Sequence, residues 1–82
     1  MTYAEAIQAI PRGTYRHFKG EFYDVHGIAE HSETGEAMVI YEPRYDRGHI
    51  FCRPADMWYD AVERDGRTYQ RFELLVGPKM LE

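Results

Sequence analysis

The polar segment His31-Ser32-Glu33-Thr34 groups residue types that suit acid–base chemistry, and it lies between two apolar, strand-like stretches. On a strand, His31 and Glu33 would point the same way, about 6–7 Å apart, and either residue could act as the general base of a small hydrolase. A triad of consecutive residues is geometrically poor, because neighbours on a strand point to opposite faces. The segment equally suits a turn in which Ser32 and Thr34 hydrogen-bond to backbone amides and Gly35 takes a positive φ.

Arginine side chains give the same segment a second interpretation. Arg16 and Arg53 are expected to approach it if the chain closes into a barrel, and a carboxylate beside a guanidinium is ionised and well oriented. Such a pair belongs either to a site or to a structural ion pair that pins the turn, and the structural pair is favoured. Eight of the ten basic residues are arginine. Guanidinium groups bind phosphates and carboxylates in a fixed geometry, although an arginine-rich genome explains the same bias.

Aromatic residues are abundant, with seven Tyr, four Phe and one Trp. Tyr and Trp rings are common at binding surfaces. An equally good explanation is that the tyrosines ring the ends of a barrel with their hydroxyls in water. The residues predicted to bind a ligand are Tyr15, Arg16, His17, His31, Ser32, Glu33, Thr34, Tyr41, Arg53, Pro54, Met57 and Trp58.

The single cysteine and the four histidines predict no nucleophile and no metal. Cys52 lies in an apolar strand without an obvious base beside it, so a buried structural thiol is expected. The histidines, at positions 17, 26, 31 and 49, include no His-x-x-x-His on a helix and have no cysteine pair to join. We therefore predict no catalytic residue, no metal site and no cofactor.

The elements that must position these residues are mostly β. Thr2 is expected to cap a short helix, with Glu5 completing a capping box and Tyr3, Ile7 and Ile10 on one face. The predicted strands are Thr14–Phe18, Phe22–Glu30, Ala37–Glu42, His49–Arg53, Ala61–Arg64 and Arg67–Leu74, with one helical turn at Ala55–Tyr59. Such a chain is expected to form a small, mainly β barrel of about five short strands that is filled by its own side chains.

Two glycine-containing sites refine this prediction. Gly27 in mid-strand indicates a bulge or a tight bend. Strict alternation along that strand places Tyr23, Val25, Gly27 and Ala29 on one face. Asp65-Gly66 between two strand-like runs is a strong signal for a two-residue hairpin.

Length and charge limit the class of protein. The 82 residues allow one domain, predicted to span residues 1–80, and Leu81-Glu82 resembles the remnant of a purification tag. The net charge of −4 argues against general nucleic-acid binding, although single strands on an aromatic platform stay open. The sequence lacks a long apolar stretch and a signal-like start, so we expect a cytoplasmic protein without a membrane partner. Exposed strand edges would also allow a homo-oligomer.

The segments GTYRHFKGEFYDVHGIAEHSETGEAMVIYEPRY and FCRPADMW carry several separated motifs. Over roughly residues 13–72 they resemble the bacterial family called domain of unknown function 1653 (DUF1653). The family pattern is G-x-Y-R-H-[FY]-K-G-x-x-Y, then H-S-E-T, then an apolar strand ending in Tyr, then R-P-x-x-M-[FW]. The pair Phe51-Cys52 departs from the aromatic-Val pair expected there. The resemblance implies an SH3-like β-roll and assigns no activity.

Three functions follow from these observations. The leading hypothesis is a non-catalytic binding module for a small anionic or nucleotide-like ligand, or for a peptide. The second is a small hydrolase that uses His31 or Glu33 as its base. The third is a structural or oligomerising protein without a small ligand.

Overall fold

A computed structural model describes residues 1–76 and places them in a mainly β fold. The elements are α1 (Tyr3–Ala9), β1 (Gly13–His17), β2 (Phe22–Glu30), β3 (Ala37–Pro43), β4 (Phe51–Pro54), a 3₁₀ turn (Ala55–Met57), β5 (Ala61–Arg64), β6 (Arg67–Gln70) and β7 (Phe72–Val76). Within residues 1–76, β4-β3-β2-β1-β7 form one antiparallel sheet and β5-β6 form a separate hairpin. The mainly β class, the short helix and the helical turn are confirmed. The predicted tag remnant and the domain boundary at residue 80 lie outside the described residues.

The strand count is higher than expected because one predicted strand is divided at Arg71. β6 pairs with β5, whereas β7 pairs with β1. Between them, the Arg71 amide donates to the Asp60 carbonyl at 2.8 Å, and its carbonyl accepts from the Phe18 amide at 2.9 Å. Within residues 1–76 the described pairings leave β4 and β7 as the outer strands of the larger sheet, and the SH3-like form stays a prediction.

Helix α1 has the predicted capping box but buries a different face. Thr2 Oγ1 accepts from the Glu5 amide at 3.1 Å, and the Glu5 carboxylate accepts from the Thr2 amide at 2.7 Å. The buried positions are Ala6 and Ile10, whereas Tyr3 and Ile7 are exposed. The predicted face is therefore correct only at Ile10. The four-residue spacing of Ala6 and Ile10 places both on one side of the helix, and the small Ala6 lets the helix approach the core closely.

Strand β2 contains the bulge that Gly27 indicated. Val25 pairs with Tyr41 and Gly27 pairs with Ile40, so His26 is the extra residue. The bulge reverses the alternation, and Ile28 packs against the core in place of its neighbours. The prediction that Gly27 and Ala29 share a face with Val25 is therefore wrong, because strict alternation fails at the extra residue.

Aromatic rings fill the core. The Trp58 indole stacks on Phe72 with centroids 3.9 Å apart, and Tyr15 and Tyr41 present ring edges to it at 5.4 and 4.9 Å. Each such ring removes about 150–250 Å² from water, which compensates for the small size of the domain. The buried apolar residues of the core are Ala6, Ile10, Tyr15, Val25, Ala37, Val39, Ala55, Trp58 and Phe72.

The outer strand β4 corrects the prediction for Cys52. Phe51 pairs with Tyr41 and Arg53 pairs with Val39, so these side chains share the inner face. Cys52 lies between them and is exposed as a free thiol on the outer face. The apolar run alone could not give this orientation, since a shift of one residue reverses the face.

None of the helices within residues 1–76 has the length and apolar character needed to span a bilayer.

Candidate ligand-binding site

The predicted acid–base segment forms a closed turn between β2 and β3. The His31 amide donates to the Glu36 carbonyl at 2.8 Å, and the Gly35 amide donates to the His31 carbonyl at 2.8 Å. His31 Nδ1 accepts from the amides of Glu33 and Thr34 at 3.2 and 3.3 Å. The imidazole of His31 therefore organises its own turn, and the residues of the segment are all exposed.

Two details of this turn match the expectation of a structural segment. Gly35 takes a φ of 77°, as the turn was predicted to require. The Thr34 hydroxyl accepts from the Glu36 amide at 3.2 Å. For Ser32, no such hydrogen bond occurs within residues 1–76.

The two arginines expected near this turn make their contacts elsewhere. Arg16 pairs with Phe22 at the opposite end of β2 from Glu30, about 25 Å away along the strand. Its guanidinium lies 4.0 Å from the Glu73 carboxylate. Arg53 donates to the Met57 carbonyl at 3.2 Å and lies 3.8 Å from Asp60. Both pairings keep the guanidinium groups away from His31 and Glu33.

Several predicted ligand-binding residues belong to the core or to its edge. Tyr15 and Trp58 are fully buried, and the Tyr15 hydroxyl donates to the Pro11 carbonyl at 2.7 Å. Burial raises the pKa of Tyr41, although the nearby Arg53 opposes this shift. Pro54 precedes the 3₁₀ turn, and Met57 ends it with an exposed side chain.

His17 lies between the core and the surface. Its ring packs edge-on against Phe72 at 5.0 Å and beside Phe18 at 4.5 Å. Burial lowers the pKa of His17, and the charges of Arg71, Lys19 and Arg53 lower it further. His17 Nδ1 accepts from the Lys19 amide at 3.2 Å, so the neutral ring has a defined orientation.

Beside His17, two cavities lie between the β1–β2 turn and the β5–β6 hairpin, and we call them together the cation–aromatic groove. The first, the β1 cavity, has a volume of about 290 Å³ and the second, the hairpin cavity, about 390 Å³. The β1 cavity is lined by Arg16, His17, Phe18, Lys19, Gly20, Tyr69, Gln70 and Glu73. The hairpin cavity is lined by Phe18, Lys19, Arg64, Asp65 and Tyr69.

The backbone fixes the two sides of this groove relative to each other. The Gly20 amide donates to the His17 carbonyl at 2.7 Å, and the φ of Gly20, 106°, is one that favours glycine. On the other side, Asp65 and Gly66 form the predicted two-residue hairpin turn with φ values of 53° and 76°. The Phe18 amide bonds to the Arg71 carbonyl and so holds the turn against the base of the hairpin.

Cations surround the aromatic wall of the groove. The Phe18 and Tyr69 rings lie nearly parallel, with an angle of 25° between their planes and a distance of 6.3 Å between their centroids. The Lys19 ammonium lies 5.9 Å from the Phe18 ring centre, and the guanidinium groups of Arg64 and Arg71 each lie 6.0 Å away. Arg71 Nε is buried and has no hydrogen-bond partner in the described part of the chain. Two carboxylates, Asp65 and Glu73, also line the groove.

Only part of this groove was expected from the sequence. Arg16 and His17 were predicted, whereas Phe18, Lys19 and Tyr69 were missed. A signal was present, since Tyr15-Arg16-His17-Phe18-Lys19 combines aromatic and basic side chains, and Tyr69 and Arg71 combine the same two types. The pairing of the two segments across the fold was not visible in the sequence.

A second polar cluster, on the outer face of β2, is structural in character. Asp24 accepts hydrogen bonds from Arg44, Arg47 and Thr14 at 2.8–3.3 Å. Partial burial raises the pKa of Asp24, but these hydrogen bonds together outweigh it and hold the pKa below its usual range. The carboxylate is thus saturated by its own chain.

In the described part of the chain, no three His, Cys, Asp or Glu side chains group as metal ligands.

Comparison with known proteins gives a family but no activity. A family model described as "Protein of unknown function (DUF1653)" matches residues 13–74. A solved crystal structure of a DUF1653 protein from Bordetella bronchiseptica is 33% identical, with a TM-score of 0.74, over 87% of this chain and 92% of that chain. None of the curated proteins matches. Since the family model covers most of its length, this chain belongs to the DUF1653 family.

Proposed function

We propose that this protein is a non-catalytic binding module for a small anionic ligand that carries a planar ring, of which a nucleotide is the simplest example. The observation that carries the proposal is the cation–aromatic groove, in which the Phe18 and Tyr69 rings line two cavities beside basic side chains.

The charge distribution supports an anionic ligand despite the net charge of −4. Arg16, Lys19 and Arg64 line the groove, and Arg71 lies against the Phe18 ring. Among residues 1–76, the carboxylates that line it are Asp65 and Glu73. The Glu73 carboxylate lies 4.0 Å from the Arg16 guanidinium, which is a long distance for an ion pair. A phosphate with more negative charge competes effectively for that guanidinium, because Arg presents a planar fork to phosphate oxygens.

The aromatic pair supports a planar ring in the same ligand. Tyr69 is 38% exposed, and both rings line both cavities. A base stacked on such a ring contributes about 1–3 kcal/mol, and nearby guanidinium groups add cation–π attraction. The groove therefore combines the two kinds of contact that a nucleotide requires.

The finer sequence predictions fit this proposal. An SH3-like roll typically presents its ligand groove between loops, where this groove lies. The exposed free thiol of Cys52 favours a reducing compartment such as the cytoplasm, since exposed thiols oxidise outside it. His31 Nδ1 accepts hydrogen bonds from the backbone amides of its own turn. This nitrogen is therefore occupied, which favours binding over hydrolysis.

Titration of the isotope-labelled protein with thymidine 5′-monophosphate, followed by backbone amide shifts, tests the proposal. We expect shifts concentrated in residues 16–20, 64–65 and 69–70. Tyr69→Ala should weaken binding at least fivefold, because the ring loses its stacking face. Tyr3→Ala is the matched control, since Tyr3 is 40% exposed but lies at a separate groove beside α1. Absence of shifts in these residues at millimolar nucleotide, or equal effects of the two variants, would contradict the proposal.

A further inference from the structure

We infer that the cation–aromatic groove takes two successive nucleotides of a short single strand, one base in each cavity. This inference rests on the proposed function and names the class of its ligand. The observation behind it is that two separate cavities share one aromatic wall and one lysine.

The sizes of the cavities favour a ligand that spans both of them. Volumes of about 290 and 390 Å³ lie at the lower end of the range for small-molecule sites, which is about 300–1,000 Å³. Each cavity alone suits one base, and the two together suit a dinucleotide. The aromatic wall between them gives each base a ring to stack on, which is how proteins bind single strands without reading their sequence.

The cations are distributed between the two cavities as this ligand requires. Lys19 lines both cavities, whereas Arg16 lines only the β1 cavity and Arg64 only the hairpin cavity. A phosphodiester that links the two nucleosides would therefore lie at Lys19, and the flanking phosphates would meet one arginine each. As a compact point charge on a flexible stem, lysine suits the bridging position.

The carboxylates limit the length and strength of binding. Asp65 lies in the hairpin cavity and Glu73 in the β1 cavity, so phosphates beyond the flanking two would meet a chain of net charge −4. A short site on an acidic protein agrees with the prediction that general nucleic-acid binding is disfavoured.

The test compares the affinities of thymidine 5′-monophosphate, the dinucleotide pdTpdTp, which carries a phosphate at each end, and hexathymidylate at fixed low salt by calorimetry. We expect affinity to rise at least tenfold from the mononucleotide to the dinucleotide. The hexamer should bind little more tightly than the dinucleotide, beyond the small gain that comes from offering several overlapping dinucleotides to one site. Arg64→Gln should remove most of the rise, because the phosphate in the hairpin cavity loses its cation. The control is Arg12→Gln, which replaces an exposed arginine on the α1 side of the molecule. It should change neither the mononucleotide affinity nor the dinucleotide affinity.

The outcomes separate this inference from the proposed function. If mononucleotide and dinucleotide bind equally, the two-nucleotide inference is overturned and the nucleotide groove stands. If none of the three nucleotides binds, both are overturned. If an acidic phosphopeptide displaces the dinucleotide from the groove and binds more tightly, the ligand class is wrong. Replacing the thymidylates by ribothymidylates, which differ only in the 2′-hydroxyl, distinguishes a DNA strand from an RNA strand.

Discussion

Tyr15 shows how a residue type that suggests a ligand can be required by the core. Its ring is fully buried against Trp58, and its hydroxyl donates to the Pro11 carbonyl at 2.7 Å. Tyr15→Phe keeps the packing but leaves a partly buried carbonyl without this donor. We expect the free energy of unfolding in urea to fall by about 1 kcal/mol. Tyr3→Phe, at an exposed ring, should stay within about 0.5 kcal/mol of the parent protein, and an equal loss in both would contradict this role.

Asp24 provides a second test at the scale of one residue. Hydrogen bonds from Arg44, Arg47 and Thr14 hold its pKa low in the folded protein, against the opposing effect of burial. Asp24→Asn should lower the free energy of unfolding at pH 7 by about 1.5–3 kcal/mol, the usual contribution of hydrogen bonds to a charged group.

The difference in the free energy of unfolding between the parent protein and Asp24→Asn should depend on pH. A carboxyl group whose pKa is lowered by folding stabilises the protein at pH values above the pKa of the unfolded chain, about 3.9. This stabilisation is lost as the pH falls through the pKa of the folded protein. The gap between the parent protein and Asp24→Asn should therefore close below about pH 4 in denaturation curves. A gap that persists at acid pH would mean that the substitution acts through packing rather than charge. Asp46→Asn, at an exposed carboxylate paired with His49, is the control.

Residue types predicted what a side chain does within its own turn better than they predicted which distant residues it contacts. The sequence predicted correctly that Thr34 would bond within its turn, but it placed Arg16 and Arg53 beside that turn. Arginine side chains are long, and the choice between several carboxylates depends on register. Arg16 meets Glu73 only because β7 pairs with β1, a contact between distant parts of the chain.

At the scale of elements, the β2–β3 turn depends on one glycine conformation. Gly35 has a φ of 77°, and the space around its Cα is open. Gly35→Ala therefore introduces backbone strain without a clash, and we expect a loss of about 1–2 kcal/mol in the free energy of unfolding. Gly27 is the matched control, because its surroundings are equally open and its φ is not in the left-handed region. Gly27→Ala should be neutral or slightly stabilising, and a similar loss at both sites would contradict the argument.

Element bounds were largely predictable, and element faces were not. Strand signals end at Pro, Gly and charged clusters, and β2 spans Phe22–Glu30 as expected. The bulge at His26 reversed the face of Ile28, because alternation has a period of two and one extra residue changes its sign. The division at Arg71 was missed for a different reason: no turn residue marks it, and tertiary hydrogen bonds to Asp60 and Phe18 impose it.

At the scale of the whole molecule, the groove exists because segments about fifty residues apart in sequence meet. Phe18 and Lys19 come from the β1–β2 turn and Arg64 and Tyr69 from the β5–β6 hairpin. Local sequence patterns do not show that these two segments contact each other. The turn and the hairpin could therefore be predicted separately, but the groove between them could not. The core differs in this respect, since aromatic abundance in a short chain implies aromatic packing whichever strands pair.

His17 connects the core to the groove, and we expect it to make the stability of the protein pH-dependent. Burial, and after it the charges of Arg71, Lys19 and Arg53, lowers the pKa of His17 in the folded protein. Below about pH 6.5 the unfolded chain binds a proton that the folded protein resists, so stability should fall as pH decreases from 6.5 towards the folded pKa. The slope cannot exceed about 1.4 kcal/mol per pH unit for one proton.

Urea denaturation of the parent protein and His17→Gln between pH 7.5 and 5 measures this slope. His17→Gln should reduce it, whereas His49→Asn, which leaves His17 in place, should keep it. Because a phosphate bound in the β1 cavity would offset the charge of Lys19, which lines that cavity, saturating thymidine 5′-monophosphate should also flatten the slope. A slope that is identical in His17→Gln would assign the effect to other groups and would remove His17 from the link between core and groove.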